Sequence, residues 1–68
     1  MAKSIKIKKI YKDGKIKFEP CKKYDSYSDK FDTIINMFLD ARLMMLSDNT
    51  LRQIDIYDDT KLIATVYG

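Results

Sequence analysis

The sequence predicts an α+β domain of ββαββ order, a four-stranded antiparallel sheet with one helix packed across one face. Three observations carry that prediction. Only residues 29–46 are long and periodic enough to form a helix. The segments before and after it alternate apolar and polar residues with a period of two. Asp13-Gly14 and Asp58-Asp59-Thr60 punctuate those segments as turns. The 68 residues make one domain, 1–68, without repeats, low-complexity tracts or a linker.

In the helix, Phe31, Ile34, Ile35, Phe38, Met45 and Leu46 follow the i, i+3, i+4, i+7 spacing of a core stripe, with Leu39 at its edge. Asn36, Asp40 and Ser47 fall on the opposite, solvated side. Met37, Ala41 and Met44 widen the apolar arc beyond what one sheet needs. They are the expected self-association surface, a homodimer seam supported by the apolar run Leu43 to Leu46 and by the adaptability of methionine. Arg42 projects near the middle of the stripe. An unpaired guanidinium cannot be buried there without a cost of several kcal/mol or more, so it must find an acid, reach past the sheet end or face a partner. Ser28 or Asp29, with Ser26 as a looser alternative, caps the start. Asp29 and Asp32 suit the positive end of the dipole. Asn49 suits a left-handed position beyond the last turn.

Residues 4–11 alternate as a half-buried strand, and residues 15–20 return after Asp13-Gly14, with Pro20 ending the strand or marking an edge. A two-residue loop pairs Tyr11 with Ile16 and Lys9 with Phe18. That register puts Ile5, Ile7, Tyr11, Ile16 and Phe18 on the helix side, interrupted by Lys9. Lys6, Lys8, Lys12, Lys15, Lys17 and Glu19 then share the outer side with Ile10. Residues 21–28 read as a connector. Residues 51–57 form the third strand, with Ile54 and Ile56 as its core pair. Residues 61–67 form an almost wholly apolar fourth strand, expected to be buried on both faces or covered by a partner. A three-residue loop in this second hairpin turns Leu62, Ala64 and Val66 toward the core, and a two-residue loop turns Ile63 and Thr65 there. Counting predicted strands in chain order, the sheet runs 2-1-3-4 or 1-2-4-3. A helix of about 18 residues spans about 27 Å and matches strands of about seven.

A chain this short buries only about 60% of its unfolded surface and needs a staple. Cys21 is the single cysteine and histidine is absent, which leaves no intrachain disulfide and no imidazole for metal binding or acid–base work. Oligomerisation is the staple that remains. No cofactor, metal site or catalytic residue is expected: only Gly14 and Gly68 are glycines, so there is no glycine-rich phosphate loop. Cys21, beside Lys22 and Lys23, reads as an incidental thiol. No segment has transmembrane length and the lysine-rich start lacks a signal peptide's apolar run, so a soluble cytoplasmic protein is expected. Heavy use of Lys, Ile, Asp and Tyr, whose codons are A/T-rich, suggests a low-GC bacterium or one of its phages or mobile elements.

Charge is the one functional signal. Residues 1–23 carry nine lysines against Asp13 and Glu19, a net +7, whereas residues 24–68 carry Lys30, Arg42, Arg52 and Lys61 against eight aspartates, a net −4. Lys6, Lys8, Lys12, Lys15 and Lys17 could meet a polyanion or an acidic partner. Base readout would favour arginine, however, and lysines also guard strand edges. The aspartates of the second half could mimic phosphates, but caps and turns account for Asp29, Asp48, Asp58 and Asp59. Tyr24 and Tyr27 give the connector the composition of a partner loop. The expectation is a non-enzymatic binding protein, a regulator or inhibitor that acts on a protein partner, a host factor for instance, as a homodimer. A non-specific nucleic-acid binder is the alternative. Neither a membrane nor a small-molecule substrate is expected.

Overall fold

The structure, a computed structural model, describes residues 3–19, 22–24 and 27–67. Its strands are β1 (Lys3–Tyr11), β2 (Ile16–Phe18), β3 (Lys22–Tyr24), β4 (Leu51–Asp58) and β5 (Lys61–Tyr67), with one helix, α1 (Tyr27–Ser47). The ββαββ architecture holds: one antiparallel sheet ordered β2-β1-β4-β5 carries a single helix, and short β3 joins β1 beside β2. This is the first of the two expected strand orders.

The first hairpin turns through three residues, not two. Gly14 N–H donates to the Tyr11 carbonyl, Tyr11 N–H donates to the Lys15 carbonyl, and Gly14 holds φ +91°. That is a type I turn closed by a glycine bulge, a geometry Asp-Gly serves as well as a type I′ turn. The extra residue shifts the register so that Lys8 faces Phe18, Lys9 faces Lys17 and Ile10 faces Ile16. Ile16 and Phe18 therefore leave the helix side and stand exposed on the open face with Ile10, Lys6 and Lys8. Lys15 and Lys17 move to the other side.

Between Phe18 and Lys22 the pairing slips by one residue, since Ile5 faces Lys22 and Lys3 faces Tyr24. That slip returns Tyr24 to the core side, where it is buried. Lys9 also lies on the core side and is ion-paired with Glu19, whose own N–H donates to the Ile7 carbonyl. The hydrogen bond to Glu19 raises the Lys9 pKa, and its counterpart from Lys9 lowers that of Glu19.

The second hairpin combines both expected registers. Asp58 faces Lys61 across the two-residue loop Asp59-Thr60, with Asp59 at φ 58°, and Tyr57 faces Leu62. A bulge then skips Ile63, so Ala64 faces Ile56 and Val66 faces Ile54. Ala64 and Val66 pack against the core after all. β5 is an edge strand, with Leu62, Ile63 and Tyr67 exposed, rather than a strand buried on both faces.

The largest departure is the rotation of α1. Met37 and Ala41 are buried at 2% and 0% exposure, and Ile34, Met44 and Met45 pack beside them on Ile5, Ile7, Leu51, Ile54 and Ile56. Phe31, Ile35, Leu39 and Leu46 are exposed, and so is Arg42. The buried stripe lies one residue, about 100°, around from the expected one. The physical reason stands in the sequence: the expected stripe contains Arg42, and the core beneath the helix holds no acid among the described residues. The neighbouring stripe offers Ala41, whose small side chain lets the helix sit close on the sheet. Met37, Ala41 and Met44 thus belong to the core of one chain and are not a self-association seam.

The helix ends also differ in detail. It begins at Tyr27, so Ser28 and Asp29 lie in its first turn, and Ser26 lies outside the described residues, as do Pro20 and Cys21. At the other end Asn49 does not take a left-handed conformation. Asp48 closes the chain instead: its Oδ1 accepts from Thr50 N–H at 2.9 Å and from the Thr50 hydroxyl at 2.5 Å. Those bonds lower its pKa. Thr50 in turn receives Lys12 N–H on its carbonyl, which ties the first hairpin to the helix end. Among the described residues no helix is long and apolar enough to cross a membrane.

Candidate functional site

A cluster at the helix start fixes Tyr24. Its hydroxyl donates to Asp58 Oδ1 at 2.6 Å, Lys30 Nζ reaches Asp58 Oδ2 at 2.8 Å, and the same ammonium stands 5.8 Å from the Tyr24 ring centroid. Strand β3, the end of β4 and the first turns of α1 are joined there. The hydrogen bond to Asp58 raises the Tyr24 pKa, with burial and the Asp58 charge adding to it and Lys30 opposing. Tyr24 is therefore a buried structural residue, not part of a partner loop. Tyr27 begins the helix, but its side chain lies outside the described residues.

The five lysines do not form one plate. Lys6 and Lys8 stand half-buried on the open face, across from Tyr57 and Asp55. Lys12, Lys15 and Lys17 are exposed around the hairpin tip, where with Tyr11, Ile16, Asn49 and Thr50 they line a cleft of about 710 Å³. Asp55 sits in the middle of the open face at 6% exposure and accepts from Gln53 Nε2 at 2.7 Å and the Thr65 hydroxyl at 3.1 Å. A carboxylate placed opposite Lys8 offsets positive potential where a phosphate backbone would have to lie. The expected sharing of one face rested on a two-residue loop, and the three-residue loop removes it.

What the fold leaves uncovered is one flank of α1. Around the helix, Met45, Phe38, Ile35 and Leu46 continue the apolar arc outward from the buried stripe, interrupted by Arg42. The other flank, with Thr33, Asp40, Ser47 and Asn36, is polar. The apolar flank looks toward β5: Phe38, Arg42, Met45 and Leu46 line a groove whose other wall is Thr65, Val66 and Tyr67. Leu46 is 82% and Tyr67 73% exposed. With Ile35 and Leu39 the helix flank leaves on the order of 400 Å² of apolar surface in water, while Leu62 and Tyr67, paired with Tyr57 and Gln53, add exposed apolar surface on the open face of the same strand.

Among the described residues no cluster of His, Cys, Asp or Glu is suited to a metal.

The two β edges are built differently. The β2/β3 edge consists of two three-residue strands separated by a register slip, and its sequence is rich in lysine, which blunts an edge. The β5 edge is seven residues long, without proline, and Lys61 is its only charge.

The apolar spacing in α1 was enough to find this flank, since its residues are those first assigned to the core. What sequence reasoning missed is that β5 lies beside it. Strand order and helix rotation together create the groove, and neither is a local property. Family models, curated proteins and solved structures were all compared with the chain and none matches, so its own surface is what speaks for its function.

Proposed function

We propose that this chain is a non-enzymatic protein-binding module of the cytoplasm that works as a homodimer, a small regulator or inhibitor of the kind phages and mobile elements carry. The observation behind this reading is the apolar flank of α1, Phe38, Ile35 and Leu46, left in water beside the exposed strand β5. Hydrophobic burial there, at about 25 cal/mol per Å² before the costs of association, is a free-energy gain still open to the chain. A second copy covers the α1 flank. The open face, with Ile10, Ile16 and Phe18 next to Lys6 and Lys8, is left for a partner whose acidic surface carries apolar groups.

Light scattering across a concentration series tests the dimer. The expected mass is twice 8.0 kDa at tens of micromolar, and Leu46→Glu returns it to the single-chain value with the circular dichroism unchanged. A strict monomer up to several hundred micromolar overturns the reading. Binding to nucleic acid is the second reading, weakened because the lysines divide between two sides. It requires affinity that falls steeply between about 50 and 200 mM salt.

A further inference from the structure

We infer that the second copy joins through strand addition: β5 pairs antiparallel with the partner copy's β5 about a two-fold axis perpendicular to the sheet, so that both helices lie on one face of a continuous sheet. The inference rests on the dimer reading above and adds its geometry. Three observations converge on it. Beyond its bulge at Ile63 the β5 edge runs regularly from Ala64 to Tyr67 without a charge, while the opposite edge is broken into two three-residue strands and is lysine-rich. The apolar flank of α1 faces that same β5 edge, so one docking event covers both. The helix flank on one face and Leu62 and Tyr67 on the other face of the β5 edge, both covered by strand pairing, together approach the roughly 500–800 Å² per subunit that a specific interface needs.

The dimensions agree. Helix α1 packs on β4 and β5. With strands about 4.8 Å apart, a helix standing between β4 and β5 or directly over β4 comes roughly 10–14 Å from its two-fold mate. Helices in contact stand about 8–10 Å apart, more when large side chains intervene. Phe38, Ile35 and Leu46 are the side chains that fill this gap, while Arg42 reaches its rim with the guanidinium kept in water. A two-fold perpendicular to the sheet is isologous, so the assembly closes at two copies and does not propagate as a fibre.

That symmetry makes a sharp prediction. Residues related by such an axis point to the same side of the sheet, so one position in β5 must face itself across the dyad. Opposed residues in antiparallel strands have Cα atoms about 4.5–5.5 Å apart, within disulfide range. The experiment introduces single cysteines one at a time at positions 62–67 in a Cys21→Ser background, oxidises each variant and scores the covalent dimer. Light scattering is run on the unoxidised proteins, and a parallel series carries cysteines at Phe38 and Leu39.

The expected result is a doubled mass with efficient cross-linking confined to one β5 position, or to it and its same-face neighbours. A doubled mass with cross-links only from the helix series overturns strand addition but keeps the dimer. Single-chain mass throughout overturns the dimer reading as well. Circular dichroism on each variant separates a lost interface from a lost fold.

Discussion

The rotational setting of α1 can be tested by truncating one side chain on each of its two apolar stripes. Met37 is 2% exposed in the centre of the core, and Met37→Ala removes buried volume that the rigid sheet beneath cannot refill. Such truncations cost about 2–5 kcal/mol, the lost transfer energy plus that of the cavity. For 68 residues the whole folding free energy is about 3–10 kcal/mol. The substitution therefore removes a large fraction of it and lowers Tm by roughly 8–40 °C, at about 4–8 °C per kcal/mol in so small a domain. Leu46→Ala removes a similar volume from a residue 82% exposed and should change the stability of the isolated chain by no more than about 0.5 kcal/mol. Ala41→Leu should cost about 1–3 kcal/mol, because it forces bulk into a fully buried contact. The assay is urea denaturation followed by circular dichroism at low micromolar concentration, where self-association adds least. If Leu46→Ala costs more than Met37→Ala, the helix sits with the Arg42-bearing stripe inward and the rotation described above is wrong.

Two further outcomes follow from local geometry. Gly14→Ala meets nothing within 4 Å, so its whole cost is the strain of an L-residue at φ +91°, about 1–2 kcal/mol in denaturant midpoint terms. Gly14→Asn should recover part of that, and equal stability of Gly14→Ala and wild type would exclude the left-handed turn. The Tyr24 pKa is raised by its hydrogen bond to Asp58, so the folded state holds the phenol proton more tightly than the unfolded chain. That contribution is fully present below the unfolded value of about 10 and is lost as pH rises through the higher folded value. Thermal melts between pH 8 and 11 should show a decline that Tyr24→Phe flattens, and an unaltered slope in that variant would remove the proposed role of the hydrogen bond.

Much of this fold is decided by spacing along the chain. The single helix, the alternating strands and the two turns depend on local periodicity and on turn residues such as Gly14, and these act within a few residues of one another. Residues such as Ile5, Ile7, Ile54 and Ile56 belong to the core in any arrangement of those elements, because period two leaves them no other face. The uncovered apolar flank is likewise written in α1, as an arc too wide for one sheet.

Tertiary structure decided which part of that arc goes inside. Two overlapping stripes, one through Met37 and Ala41 and the other through Ile35, Phe38 and Leu46, have nearly equal apolar content, so periodicity cannot rank them. The sheet ranks them, by admitting Ala41 closely and refusing the charge of Arg42. Register was undecided for the same kind of reason. One added residue at the first turn sends Ile16 and Phe18 to the opposite face, and one bulge at Ile63 brings Ala64 and Val66 back to the core. A strand's two faces differ by a single residue of slip, and only the pairing of whole strands fixes which one is buried.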